Sequence, residues 1–346
     1  MKSVFIGSTG ASGYIGGDIL SELITKYPEH SYRVLVRSQE SGKRIQKVYP
    51  GVSVIQGDLD NGELLTGESA RADIIIHTAD AADHLPAARA IAKGAIQGHT
   101  PDRPVYWLHT SGAGLLSFHD TENKIYGERS EIIYDDMRDI QEILSFPDHA
   151  FHKVVDKAVL EAGTVSPTTL RTAVIAPTTV YGKGRGPCYQ RSRQVYEMSK
   201  FILENCQIPI IGKGQAIGSN IHVRSVTSLF MKFFEVALRG EGDGTIWGPE
   251  AYYLVEEGEH CWGELAHSIG EIAFNRGFLE NQPKQIALEM DSAQELAGFE
   301  ATSWAYNMRC RASRARSLLG WQPRGPSLED ELPGIVDEEF ARLNGK

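Results

Sequence analysis

The segment Thr9-Gly10-Ala11-Ser12-Gly13-Tyr14-Ile15-Gly16 limits what this chain can fold into more than any other. Its three glycines follow a short apolar run, Ser3 to Ser8. They precede Ile15 to Tyr27, whose apolar residues Ile15, Ile19, Leu20, Leu23 and Ile24 recur at helical spacing. A strand, a glycine turn and a helix in that order form a cradle for a pyrophosphate. Gly10 permits the tight turn, Gly13 lets backbone approach the phosphates, and Gly16 lets the helix pack closely on the sheet. The free N–H groups and positive dipole end of the helix then face the anion. Thr9, Ser12, Tyr14 and Ile15 belong to the same candidate cofactor site.

The pattern continues along the chain. Tyr32–Val36, Val52–Gln56, Asp73–His77, Val105–Thr110 and Thr169–Ile175 read as strands; Pro86–Gly98 and Lys153–Ala162 read as helices. Unbroken apolar strands that alternate with helices predict an α/β protein with a Rossmann-type doubly wound parallel sheet. After Gly182 the chain becomes rich in glycine, polar and aromatic residues, and a strand followed by a helix returns over Ile221 to Phe234. The expected organisation is an NADP-binding Rossmann domain over 1–182, to which 219–248 return. A smaller C-terminal substrate-binding lobe is built from 183–218 and 249–346. The charged segment 117–148 reads as a surface excursion.

The end of the second strand selects the dinucleotide. An acidic residue there would hold the ribose hydroxyls of NAD. This chain has Arg37 instead, whose planar fork suits a 2′-phosphate, so NADP(H) is the expected cofactor. Asp58 and Leu59, after the third strand, are candidates for the adenine. A net charge of −10 disfavours nucleic acid and anionic membranes as partners, and no apolar run approaches the ~20 residues of a membrane span. The cysteines Cys188, Cys206, Cys261 and Cys310 form no CxxC pair and read as free thiols. These features predict a cytoplasmic protein without a secretory leader or a metal site, acting on a small-molecule substrate; a homodimer is compatible with them.

With these residues assembled, the chain resembles the extended short-chain dehydrogenase/reductase superfamily over most of its length. The resemblance rests on the glycine segment and on Ile74-Ile75-Ile76-His77-Thr78-Ala79, with Ala79 beside the cofactor. It rests also on His109-Thr110-Ser111-Gly112, on Arg171 with Pro177, Val180, Tyr181 and Gly182, on Asn220-Ile221-His222-Val223, and on Leu319-Gly320-Trp321-Gln322-Pro323. It implies that Pro177 and Val180 border the cofactor. Ser111, at the carboxyl end of a parallel strand where ligands bind, is a candidate catalytic residue that holds a substrate carbonyl, and Tyr181 a candidate substrate contact. More narrowly, residues 109–116 and 252–262 are similar to an atypical subgroup common in ascomycete fungi, whose members largely lack an assigned reaction.

The sequence departs from the superfamily at its Tyr-x-x-x-Lys helix. Counting back from Lys153, which fits the lysine that binds the ribose, His149 stands where the tyrosine belongs. Three readings stay open. His149 is the acid/base, since imidazole titrates near neutral pH; Tyr126 or Tyr134 reaches the site; or no proton transfer of the usual kind occurs. His152 reads as a structural residue on the helix flank, and Asp148 as a helix cap. Three functions follow: an NADP(H)-dependent oxidoreductase on a small or medium organic carbonyl or alcohol, within fungal secondary metabolism; an isomerase, dehydratase or cyclase without net redox; and a non-catalytic NADP-sensing binding protein.

Overall fold

The computed structural model describes residues 5–345; Ser3 and Val4 of the expected first strand lie outside the described residues. Seven strands form the main sheet: β1 (Phe5–Thr9), β2 (Ser31–Val36), β3 (Ser53–Gln56), β4 (Ile74–His77), β5 (Val105–Thr110), β6 (Leu170–Pro177) and β7 (Tyr252–Val255). All neighbours are parallel, in the order β7-β6-β5-β4-β1-β2-β3.

Both faces are covered, which is why the strands read as continuous apolar runs. Successive side chains point to opposite faces: in β4, Ile74 and Ile76 join one core and Ile75 the other. One core lies under α1 (Tyr14–Lys26), α2 (Gln39–Val48) and the later helix α7 (Val223–Leu238), through Ile19, Leu23, Ile45, Phe230 and Phe233. The other lies under α3 (Gly62–Ser69), α4 (Leu85–Gly98) and α5 (Lys153–Val165), through Leu65, Ile91 and Val159. A third core, with Tyr181, Tyr196, Ile202, Trp262 and Leu332, is built around α6 (Gln194–Asn205), Trp262–Asn275 and Leu328–Leu343.

β7 differs from the sequence reading, which assigned everything after 249 to the lobe. Its four residues are all buried and pair with Val174–Pro177 of β6, because an apolar Tyr-Tyr-Leu-Val run completes the sheet edge. Segment 117–148 is only partly a surface excursion: Tyr134, Ile140 and Ile143 are buried in the second core. No described helix is long and apolar enough to cross a membrane.

Candidate functional site

The strand order reverses between β1 and β4, and a doubly wound sheet binds ligands in the crevice outside that point. Here the crevice is a cavity of ≈ 590 Å³ that collects the carboxyl ends of β1 to β4. Of the expected cofactor residues, Thr9, Gly10, Ser12, Gly13, Arg37, Asp58, Leu59 and Ala79 line it. Gly10 has φ +76°, and a Cβ there would lie 2.7 Å from the Ala79 amide nitrogen, so the turn requires glycine. A Cβ on Gly16 would lie 2.4 Å from the Gly10 carbonyl oxygen; this glycine sets the approach of helix and turn rather than touching the cavity. Gly13 caps α1 without a side chain, and no acidic residue stands in the first turn. The helix end therefore keeps its positive dipole for an anion.

Arg37 follows β2, and its guanidinium makes no ion pair among the described residues. The Asp58 carboxylate accepts the amide N–H groups of Asp60 and Asn61 at 3.1 and 3.2 Å, which fixes the turn after β3. The sequence reading missed Asp80, His84 and Tyr189 on the same walls. His84 caps α4 by accepting the Ala87 N–H at 3.1 Å. A dinucleotide fits this set: a glycine turn no Cβ could enter, an uncapped helix end and an unpaired guanidinium at the second strand.

A second cavity of ≈ 410 Å³ lies beyond the ends of β5 and β6. The loop after β4 borders both cavities, with Asp80 and His84 on the first and Asp83 on the second. Gly112, Ala113 and Gly114 follow β5, Pro177 and Thr179 come from β6 and the residues after it, and Arg193, Phe299, Tyr306 and Met308 come from the lobe.

The imidazole in this cavity is His152, not His149. His149 lies outward: its side chain is 63% exposed and its Nε2 sits 3.0 Å from Glu122. His152 is 19% exposed, and its Nδ1 lies 2.8 Å from the Asp83 carboxylate. Its other nitrogen, Nε2, lies over the Gly112–Gly114 turn: a Cβ on Gly112 or Gly114 would come within 3.1 or 2.9 Å of it. Two glycines thus make room for the ring. Burial pulls the His152 pKa down, but the Asp83 hydrogen bond and the charges of Asp83, Asp156 and Asp80 outweigh it and raise the pKa. His152 is also the N-cap of α5, with φ +68°. The left-handed region is uncommon outside glycine and enriched in histidine and asparagine; at a site it is held by the surrounding structure.

Both histidines precede α5, which starts at Lys153; the turn that leads into the helix, left-handed at His152, brings His152 rather than His149 to the cavity. Val155 and Val159 are buried against the sheet, while Val154 is outward and 39% exposed. The Lys153 ammonium donates instead to the Leu144 carbonyl, and burial lowers its pKa. Asp148 pairs with Lys157 at 3.3 Å rather than capping α5. Asp156 is buried and accepts the Ser111 hydroxyl at 2.8 Å, so Ser111 lies behind the cavity wall. Burial raises the Asp156 carboxyl to about 7. Tyr181 is fully buried and donates to the Pro326 carbonyl at 2.8 Å, and Val180 is in the core. Tyr14 donates to the Gly182 carbonyl at 2.6 Å, and Ile15 packs on the first core. Tyr134 packs against Phe146, and Tyr126 against Tyr306; neither lines the cavity.

Comparison with known proteins agrees with the fold. Residues 8–245 match the model of the NAD dependent epimerase/dehydratase family. An oxidase, ucsJ, of an Acremonium species is 33% identical, with 99% of each chain covered. Among solved structures, the UDP-glucose 4-epimerase of Thermotoga maritima, determined with UDP-glucose, superposes with a TM-score of 0.67 at 15% identity, covering 99% of this chain and 100% of the other. The dTDP-glucose 4,6-dehydratase of Bacillus anthracis, determined with NAD, gives 0.65 at 14% identity, covering 99% and 97%.

Proposed function

The chain belongs to the NAD dependent epimerase/dehydratase family, and from that premise we propose that it is an NADP(H)-dependent oxidoreductase acting on an organic carbonyl or alcohol, with His152 as its proton carrier. The observation that carries the reading is His152 in the wall of the second cavity, held by Asp83 on one nitrogen and facing the glycine turn with the other. The first cavity would hold the dinucleotide: Gly10, Ser12 and Gly13 with the end of α1 toward the phosphates, Arg37 toward a 2′-phosphate, and Asp58 and Leu59 toward the adenine.

When bound, the reduced nicotinamide supplies two electrons and one hydrogen to a carbonyl carbon. This chain supplies the other proton. As the carbonyl π bond breaks, the oxygen takes the proton of protonated His152, and Asp83 retains its hydrogen bond to Nδ1 and fixes the ring. Ser111 and Asp156 position the end of β5 from behind. Apart from β7, the segments 183–218 and 249–346 act as the substrate lobe in this reading, supported by Arg193, Phe299, Tyr306 and Met308 on the second cavity. Four cysteines without a disulfide support a cytoplasmic location, and an oxidase relative supports redox chemistry.

The test is His152→Asn, because asparagine tolerates the left-handed backbone. Loss of a general acid costs about 10²–10⁴-fold, so NADPH consumption with a carbonyl panel should fall by that much while NADPH affinity holds. Unchanged turnover in the variant overturns the assignment. The family's own description, epimerase/dehydratase, favours the second reading, an isomerase or dehydratase without net redox. Turnover without a change in NADPH absorbance marks it.

A further inference from the structure

The walls of the second cavity restrict what can enter, given the reading of it as the substrate site. We propose that the substrate is a neutral, largely apolar, ring-bearing carbonyl compound, and that a sugar carried on a nucleoside diphosphate is rejected.

A diphosphate needs guanidinium forks, lysines or an uncapped helix end to replace its hydration. Among the described residues lining the cavity, Arg193 is the one lysine or arginine, and its guanidinium sits 2.6 Å from the Glu300 carboxylate, on the same wall. Asp83 is the other carboxylate, taken by His152. The cations just outside are engaged as well. Arg191 holds Glu339 and Glu197, each at 2.6 Å, and Lys200 lies 3.9 Å from Glu197. Helix α6 starts at this wall, but Glu197 stands in its first turn and offsets its dipole. A doubly charged phosphate pair would enter a cavity whose fixed charges already cancel, and would meet two carboxylates.

The apolar surface points the other way. Ala113, Phe151, Pro177, Phe299, Tyr306 and Met308 all border the cavity. Phe151 is 37% and Phe299 58% exposed, so aromatic faces stand open to solvent where a ligand would cover them. A volume of ≈ 410 Å³ is in the range of small-ligand sites, which are mostly apolar with few polar groups. His152 provides one such group.

The experiment is calorimetry on the full chain saturated with NADPH, which keeps nucleotide probes out of the first cavity. The probes are 2-tetralone, a neutral bicyclic ketone, and UDP-glucose. We expect 2-tetralone to bind at least about tenfold more tightly. Phe299→Ala and Met308→Ala should each weaken it by roughly tenfold, the worth of about two buried methylenes. NADPH affinity and melting temperature check that each variant is folded; if one is not, the other decides. UDP-glucose binding as tightly as 2-tetralone overturns the inference, and so does failure of 2-tetralone to bind below about 1 mM. Binding of 2-tetralone without NADPH oxidation supports the inference while removing the redox reading on which it rests.

Discussion

Replacing Asp83 by asparagine keeps the shape of the His152 partner and removes its charge. In the native protein, burial opposes the imidazolium and Asp83 is foremost among the groups that favour it. Removing the carboxylate leaves burial in place, so the His152 pKa must fall. A hydrogen bond between charged partners is worth about 1.5–3 kcal/mol, and 1.36 kcal/mol corresponds to one pH unit, which sets a range of about one to two pH units. Asp83 is 59% exposed and solvent screens it, so we expect the lower end, about one pH unit. The assay is the titration of the His152 Cε1–H resonance, identified among the eleven histidines by its loss in His152→Asn. The same displacement should appear in NADPH oxidation: protonated His152 is the donor, so the reductive rate falls as pH rises, and that limb moves down by about one pH unit in Asp83→Asn. Stability follows the same sign. A histidine whose pKa is raised by folding contributes stability below its unfolded pKa and loses it as pH rises through the folded pKa. The melting-temperature gap between native protein and variant should therefore be widest in mild acid and close above neutrality. A His152 resonance that titrates at the same pH in both proteins refutes the reasoning.

Arg37→Ala should reduce the preference for NADP(H) over NAD(H) by at least about tenfold, the worth of one charge-assisted contact; equal affinities for both cofactors in the unmutated protein, by calorimetry, would remove the basis for this choice. Gly114→Ala places a methyl 2.9 Å from the His152 Nε2 and must displace the ring. Because misplacement of a reacting group by about 1 Å costs roughly 10²-fold, kcat should fall by that order with NADPH affinity retained, whereas Gly51→Ala, where nothing lies within 4 Å, serves as the neutral control. Asp156→Asn removes a buried carboxyl raised from 3.8 to about 7. Ionising it above its unfolded pKa costs the fold stability, at most about 4 kcal/mol, so thermal melts should favour the variant more at pH 8 than at pH 4; a difference that does not change with pH would contradict the burial argument.

Much of this protein is determined by local sequence. The succession of apolar strand, glycine turn and amphipathic helix predicts a parallel sheet, because each pattern depends on neighbours in the chain and on the period of its own backbone. The cofactor crevice follows from the same local rules: Gly10, Gly13 and Arg37 lie at strand ends, and strand ends of a doubly wound sheet converge on one edge. What lies between elements was decided only by tertiary structure. The pairing of Asp83 with His152 spans 69 residues and depends on a loop after β4 meeting the start of α5. Ser111 and Tyr181 stand in segments that resemble known site residues, yet packing turns one hydroxyl toward Asp156 and buries the other ring entirely. Whether His149 or His152 meets the cavity is decided by the turn before α5, where His152 takes φ +68° and pairs with Asp83; that turn is held by tertiary contacts, not by a local pattern. The walls of the second cavity, drawn from segments more than two hundred residues apart, come together because the lobe covers the carboxyl ends of the strands; no local pattern in the chain encodes that meeting.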